Sequence, residues 1–347
     1  MEPNQDNGNR ISRKSFLRIC GSVIAGGSIL GVTGNLLWKM FTRPDDIFYG
    51  VDKKSTTINR SHVNNIVSPY RKVSAFKISD QIDAFDLYEG RLIVAAPNNI
   101  YVYEPSGALV SNFPVGSSVR DVTVDDDRVY LLYPTRVEVY DLEGGWIRDW
   151  EACSEESDYC SLTVLSGNVF VTDAANKNIC MYTIEGGFVK FIQSPSGFIV
   201  PSYSFGITNI DGVVYCSNPG RHLVESYSPE GEYISSFGKP GGAAGLFSGC
   251  CNPVYLAGKP TGEIITSEKG IPRISCYGKN GEFHSVLLDE KALGGGHAAY
   301  EVRVWDDKLV VAGKDALSIF QYDKKLAVQT ACSTCGIDCP LKIGVTI

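Results

Sequence analysis

The sequence predicts an all-β, six-bladed β-propeller that follows an N-terminal hydrophobic signal or anchor helix. The main observation is a recurring turn, in which a Tyr ends an apolar run and a Gly follows four residues later. Five copies occur: 103-YEPSG-107, 140-YDLEG-144, 182-YTIEG-186, 227-YSPEG-231 and 277-YGKNG-281. A sixth, 322-YDKKL-326, keeps the Tyr and lacks the Gly, and successive Tyr residues lie 37 to 50 positions apart. That period is typical of propeller blades.

Two short strands precede each turn. The first strands are 92-LIVAA-96, 129-VYLLY-133, 169-VFVTD-173, 213-VVYCS-217, 263-EIITS-267 and 309-LVVAG-313. The second strands end in the Tyr and read IYVY, VEVY, ICMY, VESY, ISCY and IFQY. These runs are β-branched and aromatic, as strands are. A ring also needs its last blade completed, since open sheet edges are a liability. We expect 73-VSAFKIS-79 to supply that strand, with 326-LAVQT-330 as the alternative.

The middle of the chain resembles the NHL-repeat family. The stretch 217-SNPGRHLVESYSPEGEY-233 is similar to its Asp-x-x-Asn-x-Arg-Ile-x-x-Phe pattern with a following turn, and 267-SEKGIPRISCYGKNGEF-283 repeats the similarity. The Gly-rich run 241-GGAAGLFSGCCNPVYLA-257 looks like that family's segment between blades. This resemblance implies a six-bladed propeller but no single activity, because one fold serves many functions.

The N-terminus has the features of a targeting segment. The stretch 12-SRKSFLR-18 resembles the twin-arginine export signal, with Lys14 where the second Arg is expected, and residues 19–38 form an uncharged apolar run. Such a run is long enough to span a membrane. Positive charge before it places the body on the far side. We therefore expect the protein on the extracytoplasmic side of a bacterial inner membrane or in the periplasm.

Charge and composition divide the chain into four parts. Residues 1–43 are the export signal or anchor, 44–70 a polar linker, 71–325 the propeller, and 326–347 a Cys-containing tail. The net charge is +4 over residues 1–43 and −11 over the remainder. An acidic body argues against a nucleic-acid partner, because phosphate contacts need clustered Lys and Arg.

Propeller geometry predicts which loops meet. Loops between blades and loops between the second and third strands lie on one face, around the mouth of the central channel. Charged and imidazole side chains in those loops are candidates for an anionic or peptide ligand. The predicted ligand-binding residues are Arg221, His222, Glu268, Lys269, Arg273 and His297. For Arg273 an ion pair within the repeat structure is the preferred interpretation, and for Arg221 and His222 it is an alternative of equal weight to ligand binding.

The chain contains eleven cysteines, which could bind a metal or form disulfides. Cys250 and Cys251 fall on the same predicted face, where they could form disulfides, bind a metal or simply fill a loop. The tail 332-CSTCGIDCPLK-342 resembles the end of a bacterial ferredoxin motif with one Cys missing. A thiolate-bound metal or iron–sulfur cluster is thus predicted as the alternative use of Cys250, Cys251, Cys332, Cys335 and Cys339. We expect a local disulfide between Cys153 and Cys160.

Three functional hypotheses follow. The first is a membrane-tethered binding or scaffold module without enzymatic activity, for a protein, peptide or glycan partner. The second is an iron–sulfur or other metal-binding accessory of an electron-transfer system. The third and weakest is a propeller lyase or lactonase, because His222 and His297 are the only histidines that can reach the loop face.

Overall fold

The computed structural model describes residues 68–78 and 80–326. They form six antiparallel sheets of four strands each. The innermost strands are β2 (Ala84–Tyr88), β6 (Asp121–Asp125), β10 (Tyr159–Leu165), β14 (Ile207–Ile210), β18 (Tyr255–Gly258) and β22 (Val302–Trp305). The second strands are β3 (Arg91–Ala96), β7 (Arg128–Tyr133), β11 (Asn168–Asp173), β15 (Val213–Asn218), β19 (Ile264–Glu268) and β23 (Lys308–Ala312).

The outer half of each sheet holds the strand with the repeated Tyr. These third strands are β4 (Asn99–Tyr103), β8 (Arg136–Asp141), β12 (Asn178–Thr183), β16 (Leu223–Tyr227), β20 (Arg273–Tyr277) and β24 (Ala316–Tyr322). The outermost strands are β5 (Leu109–Pro114), β9 (Trp146–Glu151), β13 (Phe188–Ile192), β17 (Tyr233–Phe237), β21 (Phe283–Leu288) and β1 (Tyr70–Lys77). Neighbouring innermost strands pack together and β22 returns to β2, so the ring is closed. The predicted six-bladed propeller is confirmed.

The ring is closed by the N-terminal strand. β1 pairs antiparallel with β24, with Tyr70 opposite Tyr322 and Lys77 opposite Ala316. β1 is thereby the outermost strand of the sixth sheet. This is the position that segment 326–330 was expected to fill in the alternative prediction. The predicted strand at 73–79 is confirmed, and it begins three residues earlier than expected.

The Tyr-to-Gly signature has a packing cause. Gly144 has a φ of 87°, and a Cβ there would lie 2.4 Å from Cγ of Phe113, on the outermost strand of the preceding blade. A Cβ at Gly186 would likewise lie 2.7 Å from Cε3 of Trp150 in the preceding blade. Only Gly combines this backbone conformation with so close an approach. The sixth copy lacks the Gly because its outermost strand is β1, so no turn joins it to β24.

The core is divided into six hydrophobic clusters, one between each pair of neighbouring blades. Second and third strands are buried on both faces, as in β11 and β20, whereas outermost strands such as β17 are largely exposed. Every blade therefore depends on both neighbours to cover its apolar faces.

Two short helical segments lie between strands of the described propeller. α1 spans Glu290–Leu293, and the Asp289 side chain caps it by accepting from the Ala292 amide. A 3-10 turn covers Pro219–Arg221. Within residues 68–78 and 80–326, no helix has the length and apolarity to span a membrane. The predicted signal or anchor at 1–43, and nearly all of the predicted linker and tail, lie outside the described residues.

Candidate functional site

A cavity of about 350 Å³ opens at the end of the central channel where the innermost strands begin. We call it the channel-mouth cavity. All six blades contribute a polar side chain to its lining. In blade order these include Asp83, Asp121, Ser161, Tyr203, Tyr255 and Glu301. The cavity is thus a product of ring closure, since no two adjacent blades could build it alone.

A buried arginine lies at the centre of this channel. Arg303, on β22, is 20% exposed, and its Nε donates to Oδ1 of Asp86 at 3.1 Å. Its Nη2 lies 2.8 Å from Oε1 of Glu301 and 3.9 Å from Oδ1 of Asp121. Three carboxylates from the sixth, first and second blades therefore surround one guanidinium. We call these four residues the channel ion network.

Burial shifts the acid–base behaviour of this network. Loss of hydration raises the pKa of Glu301 to about 8, against the opposing attraction of Arg303. Burial likewise raises the pKa of Asp121, again opposed by Arg303. Burial disfavours charge on Arg303 itself, but the carboxylates of Glu301, Asp86 and Asp121 outweigh it and raise its pKa. Burial therefore favours the protonated form of Glu301 near neutral pH, while Arg303 stays charged.

The Arg303 guanidinium already contacts the three channel carboxylates. Among the described residues, the channel carboxylates do not bring three ligand atoms within 4.8 Å of one another, a spacing met only at another place in the molecule. A lactonase-type metal centre built from channel carboxylates therefore has no support in this geometry.

One wall of the cavity carries hydroxyl groups. It is formed by the segment joining the third and fourth blades, which includes Ser202, Tyr203 and Ser204. Nζ of Lys269 donates to Oγ of Ser202 at 2.7 Å and of Ser204 at 3.2 Å. Tyr203 is 50% exposed. This wall offers hydrogen-bonding groups and an accessible aromatic ring to a ligand.

The structure places four of the predicted ligand-binding residues on the channel-mouth face. Arg221 Nε donates to the Gly197 carbonyl at 2.8 Å, and His222 Nε2 lies 2.5 Å from the Gly249 carbonyl. The carbonyl of the exposed loop residue His297 accepts the Gly270 amide at 3.1 Å, and Lys269 contacts Ser202 and Ser204 of the cavity wall as described above. Each contact joins a loop between second and third strands to a segment between blades, as expected for one shared face.

Glu268 and Arg273 are placed differently. They form a buried ion pair at 2.7 Å, with side chains 0% and 4% exposed. Arg273 also donates to the carbonyls of Gly242 and Leu246. The pair therefore fastens the Gly-rich segment between the fourth and fifth blades, and neither side chain is available to a ligand. The interpretation of Arg273 as a repeat-structure residue fits this geometry; the ligand-binding role predicted for the two residues does not.

Cys250 and Cys251 lie in that same segment. Cys250 is exposed and Cys251 buried, and their Sγ atoms are 2.8 Å apart as free thiols. Asn252 holds the segment against the neighbouring loop, since its Oδ1 accepts the Lys269 amide at 2.9 Å. The two sulfurs thus sit beside the predicted ligand-binding residues. Cys332, Cys335 and Cys339 lie outside the described residues.

The expected disulfide between Cys153 and Cys160 is not present. Both are free thiols. Sγ of Cys153 lies 2.9 Å from the hydroxyl of Tyr182, whereas Cys160 donates to the Asp158 carbonyl and lines the channel-mouth cavity. Cys160 is the second residue of β10 and lines the channel-mouth cavity, so strand geometry rather than loop proximity fixes its direction.

The channel ion network was missed by the sequence reasoning. One signal was available: 84-AFDLY-88 and 302-VRVW-305 each carry a charge inside an otherwise apolar strand. A charged side chain in such a strand needs a buried partner. Naming the partners requires knowing which strands are innermost.

Comparisons with known proteins bear on the fold. No family model matches the sequence, and no curated protein does. Virginiamycin B lyase from Staphylococcus aureus has 12% identity and a TM-score of 0.51, covering 73% of this chain and 99% of its own. A streptogramin B lyase (13%, TM-score 0.51) and U3-55K (10%, TM-score 0.51) each cover 73% of this chain and 98% of their own. Similarity at these identities shows architecture alone. The protein is a six-bladed β-propeller with lyases among its structural neighbours.

Proposed function

We propose that this protein is a binding module on the extracytoplasmic side of a bacterial inner membrane, whose channel-mouth face receives a protein or peptide partner. The observation that carries the proposal is the channel-mouth cavity, to which all six blades bring polar side chains. A cavity of about 350 Å³ accommodates a side chain or chain end rather than a whole domain. The ammonium of Lys269, which contacts the cavity wall at Ser202 and Ser204, suits a partner with acidic groups.

Binding is favoured over catalysis by the state of the channel centre. Arg303 is already engaged by Glu301, Asp86 and Asp121, so its guanidinium is not free to bind a substrate. The histidines among the described residues are dispersed: His222 and His297 lie in separate loops of the channel-mouth face, and His284 follows the turn at the opposite end of the strands. The lyase hypothesis therefore stays the weakest, and we expect no cleavage of virginiamycin B by this protein.

Site-specific photocrosslinking in cells tests the proposal. A photoreactive residue replaces Tyr203 at the cavity wall, and a matched variant carries it at Tyr233 on β17, 42% exposed on the outer rim. We expect a discrete crosslinked protein from position 203 only, lost when Lys269→Glu reverses the nearby charge. Equal crosslinking from both positions, or glycan binding that Lys269→Glu does not affect, would contradict a protein or peptide partner.

The membrane location rests on the N-terminal sequence. Residues 12–38 combine the export-signal resemblance with an apolar run that is long enough to cross a membrane. We expect the protein to remain in the inner-membrane fraction after alkaline extraction, with its propeller accessible to protease added to the periplasm. Recovery in the cytoplasm would remove this part of the proposal.

A soft-metal or iron–sulfur role is the second candidate. The 2.8 Å separation of the Cys250 and Cys251 sulfurs on the channel-mouth face favours it. We expect iron and acid-labile sulfide in anoxically purified protein if the tail cysteines complete a site. Mapping of Cys332, Cys335 and Cys339 into disulfides would exclude it.

A further inference from the structure

A mixed nitrogen, sulfur and oxygen cluster lies on the fifth blade, at the opposite end of its strands from the channel-mouth cavity. Glu263 immediately precedes β19, Cys276 is the penultimate residue of β20, and His284 is the second residue of β21. Antiparallel pairing brings these three chain positions to one end of the sheet. One ligand atom from each side chain lies within 4.8 Å of the other two.

The separations match those between ligands of a bound metal. Sγ of Cys276 is 3.4 Å from Oε1 of Glu263, and Nδ1 of His284 is 3.3 Å from the same oxygen. Metal–ligand bonds of about 2.0 Å to N and O and about 2.3 Å to S, at tetrahedral angles, put neighbouring ligand atoms roughly 3.3–3.5 Å apart. In the metal-free protein the same separations are spanned by hydrogen bonds to Oε1 of Glu263.

The carboxylate is held in the orientation that such a site needs. Its other oxygen, Oε2, accepts from Oγ1 of Thr261 at 2.7 Å and from Nζ of Lys259 at 3.3 Å. Oε1 is thereby directed to Cys276 and His284. Burial opposes ionisation, but the Thr261 hydroxyl and the Lys259 ammonium outweigh it and lower the pKa of Glu263 to about 2. Such outer contacts orient ligands in metal sites.

The cluster is accessible from one side. Cys276 is buried, whereas the His284 side chain is 40% exposed. Gly278 leaves room for the imidazole, since a Cβ there would lie 2.9 Å from Nε2. An ion and a water molecule can therefore reach the ligand atoms from the His284 side.

We propose that Glu263, Cys276 and His284 form a three-ligand binding site for a zinc ion, with the fourth position taken by water. The donor set excludes calcium and magnesium, which require oxygen ligands. Zinc replaces the proton of the Cys276 thiol, so one proton is released as the Zn–S bond forms.

The test uses full-length protein in which Cys250, Cys251, Cys332, Cys335 and Cys339 are Ser, so that the other candidate metal thiols do not contribute. Cobalt is added as a spectroscopic substitute, and zinc affinity is measured by competition with a chromophoric chelator. We expect one equivalent of metal and a thiolate-to-cobalt charge-transfer band. Cys276→Ser removes the band, and His284→Gln weakens zinc binding at least tenfold.

Cys180→Ser is the matched control, a buried thiol on the third strand of another blade, and it should leave band and affinity unchanged. Absence of the band in the parent protein overturns the proposal. So does unchanged affinity in His284→Gln, a half-exposed position where the substitution leaves the fold intact even if Cys276→Ser does not fold.

Discussion

Nη2 of Arg303 lies 2.8 Å from Oε1 of Glu301, two positions earlier on the same chain. Alternate residues of a strand face the same side, so both side chains enter the central channel. There they meet Asp86 and Asp121 of the first two blades. This contact between neighbours in sequence therefore becomes the centre of a network that joins three blades.

Removing the guanidinium should destabilise the ring. Arg303→Met leaves Asp86, Asp121 and Glu301 without their buried partner, and we expect a loss of about 3–5 kcal/mol in the free energy of unfolding. Denaturant titration measures it. Arg71→Met is the control, because its ion pair with Asp323 is at the surface with Arg71 62% exposed; it should cost no more than about 1 kcal/mol. Equal losses would show that the network contributes no more than a surface pair.

Stability should depend on pH through Glu301. Its pKa is raised to about 8 in the folded protein, against about 4.3 for an unfolded chain. Between these values the folded state holds a proton that the unfolded state has released, so stability falls as pH rises. Glu301→Gln should reduce that slope by up to about 1.4 kcal/mol per pH unit.

Unfolding titrations from pH 5 to pH 8 check this prediction. Glu232→Gln is the control, since the Glu232 side chain is 75% exposed and pairs with Lys190 at the surface. An unchanged slope in Glu301→Gln would show that Glu301 is ionised across this range.

The repeated turn glycines should be intolerant for two separable reasons. Gly90, in the turn between β2 and β3 and outside the repeated Tyr-to-Gly turns, gives the comparison: Gly90→Ala introduces a Cβ at a φ of 75° in open space, and should cost about 1–2 kcal/mol. Gly144→Ala has the same conformational cost and also meets the Phe113 ring, so a further 1–3 kcal/mol or so is expected. Thermal unfolding of the two variants separates the cost of the backbone conformation from the cost of the contact with Phe113. Equal effects would mean that Phe113 moves away without cost.

Substitutions in the buried Glu268–Arg273 pair and at the neighbouring, half-buried Lys269 should have different effects on stability and on partner binding. Arg273→Met leaves Glu268 unpaired and should cost about 3–5 kcal/mol in unfolding free energy. Lys269→Met, at the cavity wall, should change stability by less than about 1 kcal/mol but weaken partner crosslinking from position 203. Unfolding free energy and crosslinking from position 203 are measured for both variants. A large stability loss in Lys269→Met would contradict a role for Lys269 in partner binding alone.

Much of the architecture is encoded in short stretches of local sequence. Each turn needs a Gly with positive φ, and each blade needs apolar faces on both sides, so six copies of Tyr and five of Gly fix the blade number. The missing Gly after Tyr322 even marks the blade whose outermost strand comes from elsewhere. These features are local because a hairpin is specified within a few residues.

The candidate site is predictable only in part. The shared face of His222, Lys269 and His297 follows from loop positions, and the structure brings these loops together. The burial of Glu268 and Arg273 does not follow, because a loop-end position does not reveal which way a side chain turns. The free state of Cys153 and Cys160 was also unpredictable, since their separation in sequence gives no direction for either Sγ.

The sequence by itself determined six radial sheets, their order and the strand that closes them, because strand propensity, turn chemistry and repeat length act over short distances. Only the tertiary structure decided which charges meet: Arg303 with Asp86 and Asp121, and Glu263 with Cys276 and His284. Ring closure and strand pairing bring these groups together from distant positions, and side-chain orientation then fixes contacts of about 3 Å that no local pattern encodes.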